Sequence, residues 1–226
     1  MKKTFLFATT GSALLLANQA GAQANSSCAI ETNSVADKMY VSGAVGPAWQ
    51  QNVNAHGGNG VVNFDAGVRG DVTLGYNFCK HFAAELETGT IASSINSIAG
   101  NDLSSFGASA SIYEIPVLVN GIFKLPLKGG WTHFVGVGVG GAATYLTAQN
   151  VPLFGFASHS SYGSTDFTFA YQAEAGFKYA ISDKIDLGFV YEFTGTTDHN
   201  WSDNGVTFKT DGTMSHAVLA TFTWKF

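Results

Sequence analysis

An alternation of apolar and polar residues runs through residues 62–78. Even positions of this stretch are apolar or small, whereas the odd positions include Asp65, Arg69 and Asp71. Side chains of a β-strand point alternately to the two faces of the sheet, so a period of two predicts a strand with one apolar and one polar face. An amphipathic helix would instead space its apolar residues three and four positions apart. The chain is therefore expected to be built from strands.

Seven further segments repeat this pattern and bring the number of predicted strands to eight. They are residues 39–50, 82–92, 109–123, 131–145, 167–181, 185–193 and a last segment around residues 218–226. The connections alternate in length. Short ones cover residues 79–81, 125–130 and 182–184, and long ones cover residues 51–61, 93–108, 149–166 and 194–213. Tight turns at one end and long loops at the other indicate an up-and-down barrel.

The apolar faces of these eight segments contain no Asp, Glu, Lys or Arg. Charged residues make up 12% of the whole chain, against about 25% in a typical soluble domain. A soluble barrel would be apolar inside and charged outside, whereas a lipid-facing Arg or Lys at mid-bilayer costs about 2–4 kcal/mol. Lipid contact therefore explains the exclusion. The predicted fold is all-β, an eight-stranded antiparallel up-and-down transmembrane β-barrel with a polar interior.

The ionised side chains must then point into the barrel. An eight-stranded barrel is only wide enough for side chains to fill, so we expect an interior charge network in which Arg69 bridges several carboxylates. Its predicted members are Arg69, Asp71, Glu85, Glu87, Glu114, Glu174, Lys178 and Glu192. Because acids outnumber bases here, a very narrow path for cations is the alternative interpretation.

The N-terminus has the pattern of an export signal. Lys2 and Lys3 precede an apolar stretch, and small residues follow up to Ala24. This arrangement predicts a cleaved signal peptide over residues 1–22, a periplasmic segment over residues 23–37 and the barrel over residues 38–226. Both termini are then expected in the periplasm.

Export to an oxidising compartment bears on the two cysteines of the chain. Cys28 precedes the first strand and Cys79 lies in the first short turn, so both are expected at the same end of the barrel. A disulfide between them is predicted. The alternative is two thiols whose Cα atoms are more than about 7 Å apart, too far to be bridged.

Several classes of site are not expected. With 11 Lys and Arg against 16 Asp and Glu, no nucleic-acid partner is predicted. No cofactor, metal ligand or catalytic residue is predicted either. The Ser-rich stretch around His159, and Ser215 beside His216, leave a lipid-modifying enzyme only as a third hypothesis, because no acid is fixed near them by spacing.

A specific function is expected in the long loops, which are rich in Gly, Ser, Asn and Thr. Five aromatic side chains there could anchor a partner: Phe154, Phe156, Tyr162, Trp201 and Phe208. Equally, these rings could pack against one another in strands that extend beyond the membrane.

The whole pattern resembles a known family. It combines the signal peptide, the eight strands, the tight turn after Phe78, Pro116 within residues 114–120, and a chain end containing Phe222, Trp224 and Phe226. It looks like the small outer-membrane β-barrel proteins of Gram-negative bacteria, a group that includes OmpX, the OmpA transmembrane domain and opacity-type surface antigens.

The resemblance implies an outer-membrane location, contact with outer-membrane lipids, and a monomer. It also implies that Phe222, Trp224 and Phe226 form the signal read by the barrel assembly machinery. The expected function is a structural or adhesin-type surface protein, not an enzyme, whose four surface loops meet a host or other cell-surface partner. A narrow channel or small-ligand conduit through the interior is the alternative.

Overall fold

The computed structural model describes residue 35 and residues 38–56, 60–150, 161–203 and 206–226. These residues form thirteen strands and a short 3-10 helix, Ser104–Phe106. The strands are β1 (Met39–Gln50), β2 (Val53–His56), β3 (Gly60–Phe64), β4 (Gly67–Asn77), β5 (Phe82–Ile98), β6 (Asn101–Asp102), β7 (Ser109–Pro126), β8 (Trp131–Gln149), β9 (Ser161–Ala180), β10 (Ile185–Thr196), β11 (His199–Asp203), β12 (Val206–Thr210) and β13 (Met214–Lys225). No helix among the described residues is long and apolar enough to span a membrane.

Eight of these strands form one closed barrel. Strands β1, β4, β5, β7, β8, β9, β10 and β13 each pair antiparallel with the next barrel strand along the chain. The last strand returns to the first, with partners that run from Tyr40 opposite Lys225 to Gln50 opposite Ser215. Closure leaves no open sheet edge, as the hydrocarbon core of a bilayer requires. The predicted eight-stranded antiparallel barrel is confirmed.

The two faces of the wall differ as predicted. On the outer face, Val72, Val137 and Phe189 are 59%, 69% and 52% exposed. On the inner face, Arg69 and Glu87 are 0% and 2% exposed. The apolar side chains therefore face outward and the charged ones inward, the reverse of a soluble barrel.

The two ends of the barrel are unequal. Tight turns at residues 78–81, 127–130 and 181–184 define the short-turn end. Gly129 and Gly130 both have positive φ, 78° and 84°, a conformation that glycine adopts without steric cost. Outward-facing aromatic side chains gather at this end, and Trp131 contacts Tyr179 with ring centroids 4.9 Å apart. Such a belt is typical of a membrane interface.

The opposite end, here the long-loop end, contains more strand than the sequence predicts. Strands β2 and β3 pair with each other, β3 pairs with β5, and β12 pairs with both β11 and β2. The hairpin β2–β3 therefore continues the wall beyond β1 and β4, and the hairpin β11–β12 continues it beyond β10 and β13. The described parts of the long connections at residues 51–61 and 194–213 are therefore largely part of the barrel wall.

The segment 62–78 is two strands, not one. Val62 in β3 is 6% exposed and faces inward, whereas Val68 in β4 is 52% exposed and faces outward. The break at residues 65–66, together with a register shift against β5 between Asn63 and Phe64, reverses the alternation. The prediction that Val62 shares a lipid-facing side with Val68 is therefore wrong.

An apolar cluster fills the barrel at the long-loop end, which corrects the expectation of a polar interior throughout. Its buried members are Val53, Ala55, Val62, Ile95, Ile98, Leu103, Ala108 and Ala110. The outer face near it carries polar residues such as Asn200 and Lys209. This part of the wall thus has apolar residues inside and polar residues outside, the arrangement expected of a barrel in water.

Candidate functional site

The middle of the barrel is filled by a hydrogen-bonded network around Arg69. Strand β4 points Arg69 and Asp71 inward, because residues two apart share a face. The Arg69 guanidinium donates from Nε to Asp71 Oδ2 over 2.8 Å and from Nη2 to Glu87 Oε1 over 2.9 Å. A further ion pair joins Nη2 to Glu192 Oε2 over 3.0 Å. One cation thus meets three carboxylates from three strands.

Neutral side chains complete this network. Arg69 Nη1 donates to Thr194 Oγ1 over 2.6 Å, and Nη2 donates to Gln172 Oε1 over 2.8 Å. Asn120 Nδ2 donates to the other oxygen of Glu87 over 2.8 Å. The planar guanidinium suits such an arrangement, because its five N–H groups point in fixed directions. Side chains from strands β4, β5, β7, β9 and β10 are therefore joined across the interior at this level.

Two predicted network members, Glu85 and Glu174, lie on the short-turn side of Arg69. Glu85 accepts a hydrogen bond from the hydroxyl of Tyr40. Oxygens of Glu85, Glu87 and Glu174 come within 4.8 Å of one another. Lys178, another predicted member, lies beside two aromatic rings at this level. Its Nζ lies 5.0 Å from the ring centroid of Phe134 and 5.5 Å from that of Tyr40.

Glu114 belongs to a separate chain of hydrogen bonds nearer the long-loop end. Thr213 Oγ1 donates to Glu114 Oε2 over 2.6 Å, and it lies 2.9 Å from Thr196 Oγ1. Thr196 Oγ1 is in turn 3.0 Å from Nε2 of His199. Glu114 is therefore bonded to a different set of partners from Arg69, whereas Glu87 links the Arg69 group to the acids on its short-turn side.

Sequence reasoning missed His199, which is fully buried where β10 gives way to β11. Its Nδ1 lies 3.4 Å from Asp166 Oδ2, and its ring stacks on Trp201 with centroids 5.1 Å apart. Burial lowers the pKa of this histidine, although the charge of Asp166 acts in the opposite direction. Neutral His199 is therefore the form that the fold favours.

The long connections at residues 51–61 and 194–213 are also joined by polar contacts. Asp211 Oδ2 accepts a hydrogen bond from Asn54 Nδ2 over 2.6 Å. The other oxygen, Oδ1, lies 2.6 Å from His56 Nε2. The bond from Asn54, followed by that from His56, lowers the pKa of the Asp211 carboxyl. These contacts hold β2 beside the end of β12 and fix the position of both hairpins.

For Trp201 the structure agrees with the second interpretation of the loop aromatics, packing within extended strands. Trp201 is 2% exposed and donates from Nε1 to Thr210 Oγ1 over 3.0 Å. It also packs against Ile112 inside the wall. The alternation of β11 turns this ring inward, so it stabilises the hairpin and is not available to a partner. Phe154 and Phe156 lie outside the described residues, as do the side chains of Tyr162 and Phe208.

The other predicted sites stay predictions. Cys79 lies in the turn at residues 78–81, but Cys28 lies outside the described residues. The three aromatic residues of the proposed assembly signal face outward at the short-turn end. Phe222, Trp224 and Phe226 are 45%, 46% and 52% exposed.

Comparisons with known proteins agree with this architecture. A family model described as "Outer membrane protein beta-barrel domain" matches residues 10–226. Outer membrane protein PagN of Salmonella typhimurium is 26% identical over 186 residues, covering 72% of this chain and 76% of PagN. A candidate adhesin of Rickettsia conorii, RC1281, is 26% identical over 238 residues, covering 95% of this chain and 90% of that protein.

Among solved structures, Neisserial surface protein A is similar with a TM-score of 0.54 and 13% identity. The match covers 84% of this chain and 97% of that one. At this identity the likeness concerns the fold. The chain belongs to the outer membrane protein beta-barrel domain family and is a β-barrel of the Gram-negative outer membrane.

Proposed function

We propose that this protein is an adhesin-type surface protein, in which a side-chain-filled monomeric barrel presents the long-loop end to another cell or molecule. The termini and the short-turn end then face the periplasm. The observation that carries the proposal is the construction of the long-loop end, where β2, β3, β11 and β12 extend the wall. A rigid platform of this kind lowers the entropy cost of presenting loops to a partner.

Two further observations support this function. The Arg69 network and the apolar cluster fill successive levels of the interior, which favours a display role over transport. The names of relatives point the same way, since RC1281 of Rickettsia conorii is named as a candidate adhesin. No catalytic role is part of the proposal.

The loop at residues 151–160 offers the most direct test, because it contains Phe154 and Phe156. Bacteria that do not normally adhere would display either the unchanged chain or a Phe154→Ser, Phe156→Ser variant. Attachment to cultured epithelial cells would be counted at equal surface display. We expect the unchanged chain to confer attachment and the variant to lose most of it.

A matched control is available at the other end of the barrel. Leu127 is 53% exposed in a short turn, and Leu127→Ser should leave attachment unchanged. Equal attachment by all three strains and by cells without the protein would contradict the adhesin function. Discrete cation-selective conductance of the purified barrel in planar bilayers would instead support the channel.

A further inference from the structure

A cavity of about 200 Å³ opens at the short-turn end, below the acidic residues of the interior. Four lysines line it, Lys80, Lys124, Lys178 and Lys225, together with one acid, Asp186. Lys124, Lys178 and Lys225 are inward-facing residues of the barrel wall and are partly buried. We call this cavity the lysine vestibule. It collects most of the basic side chains of the interior in one place.

The lysines of the vestibule exceed the available acids. Lys225 Nζ pairs with Asp186 Oδ1 over 2.8 Å. Lys124 Nζ donates to Asn77 Oδ1, a neutral acceptor, and Lys178 Nζ faces the rings of Tyr40 and Phe134. Within the described part of the chain, Asp186 is the carboxylate that comes within 4.0 Å of a vestibule ammonium.

This imbalance is unfavourable in a partly enclosed space. Lys124 is repelled by the charges of Lys178 and Lys225, while those of Glu85 and Asp186 attract it. Charges removed from water are ordinarily paired with an opposite charge. Among the described residues, Lys124 and Lys178 have no carboxylate within 4.0 Å of their ammonium groups, so the vestibule keeps positive charge that favours an anion from solution.

We propose that the lysine vestibule binds a phosphate group carried by a small water-soluble molecule or by inorganic phosphate itself. Phosphate oxygens accept charge-assisted hydrogen bonds from several lysines at once. The hydroxyl of Thr132 also lines the cavity and can donate to the same anion.

The same geometry stops the anion at the mouth of the barrel. Directly above the vestibule lie Glu85, bonded to Tyr40, and Glu174. Acidic side chains at this level disfavour an anion, and Arg69 with its partners occupies the interior beyond them. The vestibule is thus a docking site, not the entrance of a path for anions.

A lipid headgroup is a second source of phosphate. The vestibule is lined by inward-facing side chains such as Lys124 and Lys178, whereas acyl chains contact the outer face of the wall. A membrane lipid would have to reach over the rim of the barrel to enter it. This geometry favours the dissolved ligand.

The test measures protection of individual lysines in the full folded protein. The purified barrel, in a detergent without phosphate, would be acetylated briefly with and without inorganic phosphate or glycerol phosphate. Mass spectrometry would then compare Lys124 and Lys178 with Lys128 and Lys184, which are exposed in turns at the same end. We expect millimolar phosphate to slow acetylation of the first pair several-fold and to leave the second pair unchanged. Equal rates with and without phosphate at all four lysines would overturn the proposal.

Variants provide an independent measurement. A Lys124→Met, Lys178→Met double variant and a Lys128→Met, Lys184→Met control remove the same charge from the same end. Phosphorus NMR titration should show at least a tenfold weaker affinity in the first variant and no change in the control. An equal loss of phosphate affinity in both variants would show only a general effect of charge and would contradict a binding site in the vestibule. If the double variant does not fold, the protection experiment still decides.

The lipid source is distinguished in vesicles. The barrel would be reconstituted in phosphatidylcholine, with or without phosphatidylglycerol, in buffer free of phosphate. Protection of Lys124 and Lys178 that depends on phosphatidylglycerol would overturn the assignment to a soluble ligand. Protection that appears only when phosphate is added would support it.

Discussion

Arg69 and Glu87 lie eighteen positions apart in the sequence, yet Arg69 Nη2 is 2.9 Å from Glu87 Oε1 in the middle of the barrel. The two residues sit on neighbouring strands β4 and β5, where Arg69 is opposite Ile91 and Thr73 is opposite Glu87. The long arginine side chain spans this diagonal offset. It can do so because both side chains point into the same narrow interior.

Replacing Arg69 by Met should destabilise the barrel strongly. The change leaves Asp71, Glu87 and Glu192 together without their cation, and breaking a buried ion pair by removing one partner typically costs about 3–5 kcal/mol. We expect a clear fall in the urea midpoint of unfolding, measured by gel mobility without boiling. Lys128→Met, in an exposed turn, serves as the control. If both variants unfold at the same urea concentration, the Arg69 network does not stabilise the barrel as predicted.

Packing inside the barrel should make Gly138 intolerant of even one methyl group. A Cβ built at this position would lie 1.7 Å from Asn120 Oδ1, so Asn120 must move away from Glu87. Overpacking of this kind costs about 1–3 kcal/mol. At Gly43 in β1, an added Cβ meets nothing within 4 Å. We expect Gly138→Ala, but not Gly43→Ala, to lower unfolding stability, and comparable midpoints for the two would argue against this packing.

The hairpin β11–β12 should loosen as the pH falls. Burial lowers the pKa of His199 in the folded protein, so between the folded and unfolded pKa values the unfolded hairpin binds more protons. Stability from neutral His199 is therefore present above about pH 6.5 and declines as the pH drops below that value.

Amide hydrogen exchange of residues 199–203 at several pH values, corrected for intrinsic rates, measures this effect. Protection should decrease toward pH 5 in the unchanged protein. His199→Gln, which keeps a polar side chain but does not titrate, should remove most of the pH dependence. If the variant shows the same pH dependence as the unchanged protein, a group other than His199 causes the loss of protection and the prediction is wrong.

The predicted bridge between Cys28 and Cys79 leads to a simple measurement. A loop of roughly 50 residues closed by a disulfide is stabilising by up to ~4 kcal/mol in the chain-entropy model. Unreduced protein treated with an alkylating reagent under denaturing conditions should gain no mass, and reduced protein should gain two adducts. Two adducts without reduction would rule out the bridge.

The barrel itself was predictable because its cause is local and repeated. Along β4 and β10, every second residue must be compatible with hydrocarbon, and this condition shows directly as a period of two. The inward direction of Arg69, Glu87 and Glu192 follows from the same alternation. Short and long connections then indicate which strands are neighbours.

Three features could not be predicted in this way. The reversal at residues 65–66 depends on a register shift against β5, and no pattern within β3 reveals it. The burial of Trp201 and His199 depends on a hairpin that pairs with β2 and contacts β9, both distant in the sequence. The separation of Lys178 from the Arg69 group depends on depth within the barrel, which alternation does not encode.

Periodicity in the sequence thus determined the strands, the closure and the side on which each charge lies, because every second residue of a membrane-spanning strand faces hydrocarbon. Only the tertiary structure decided which charges meet, because partners on different strands are chosen by register and depth. It likewise decided where apolar side chains gather inside the wall, because those clusters join residues from strands that are distant in the sequence.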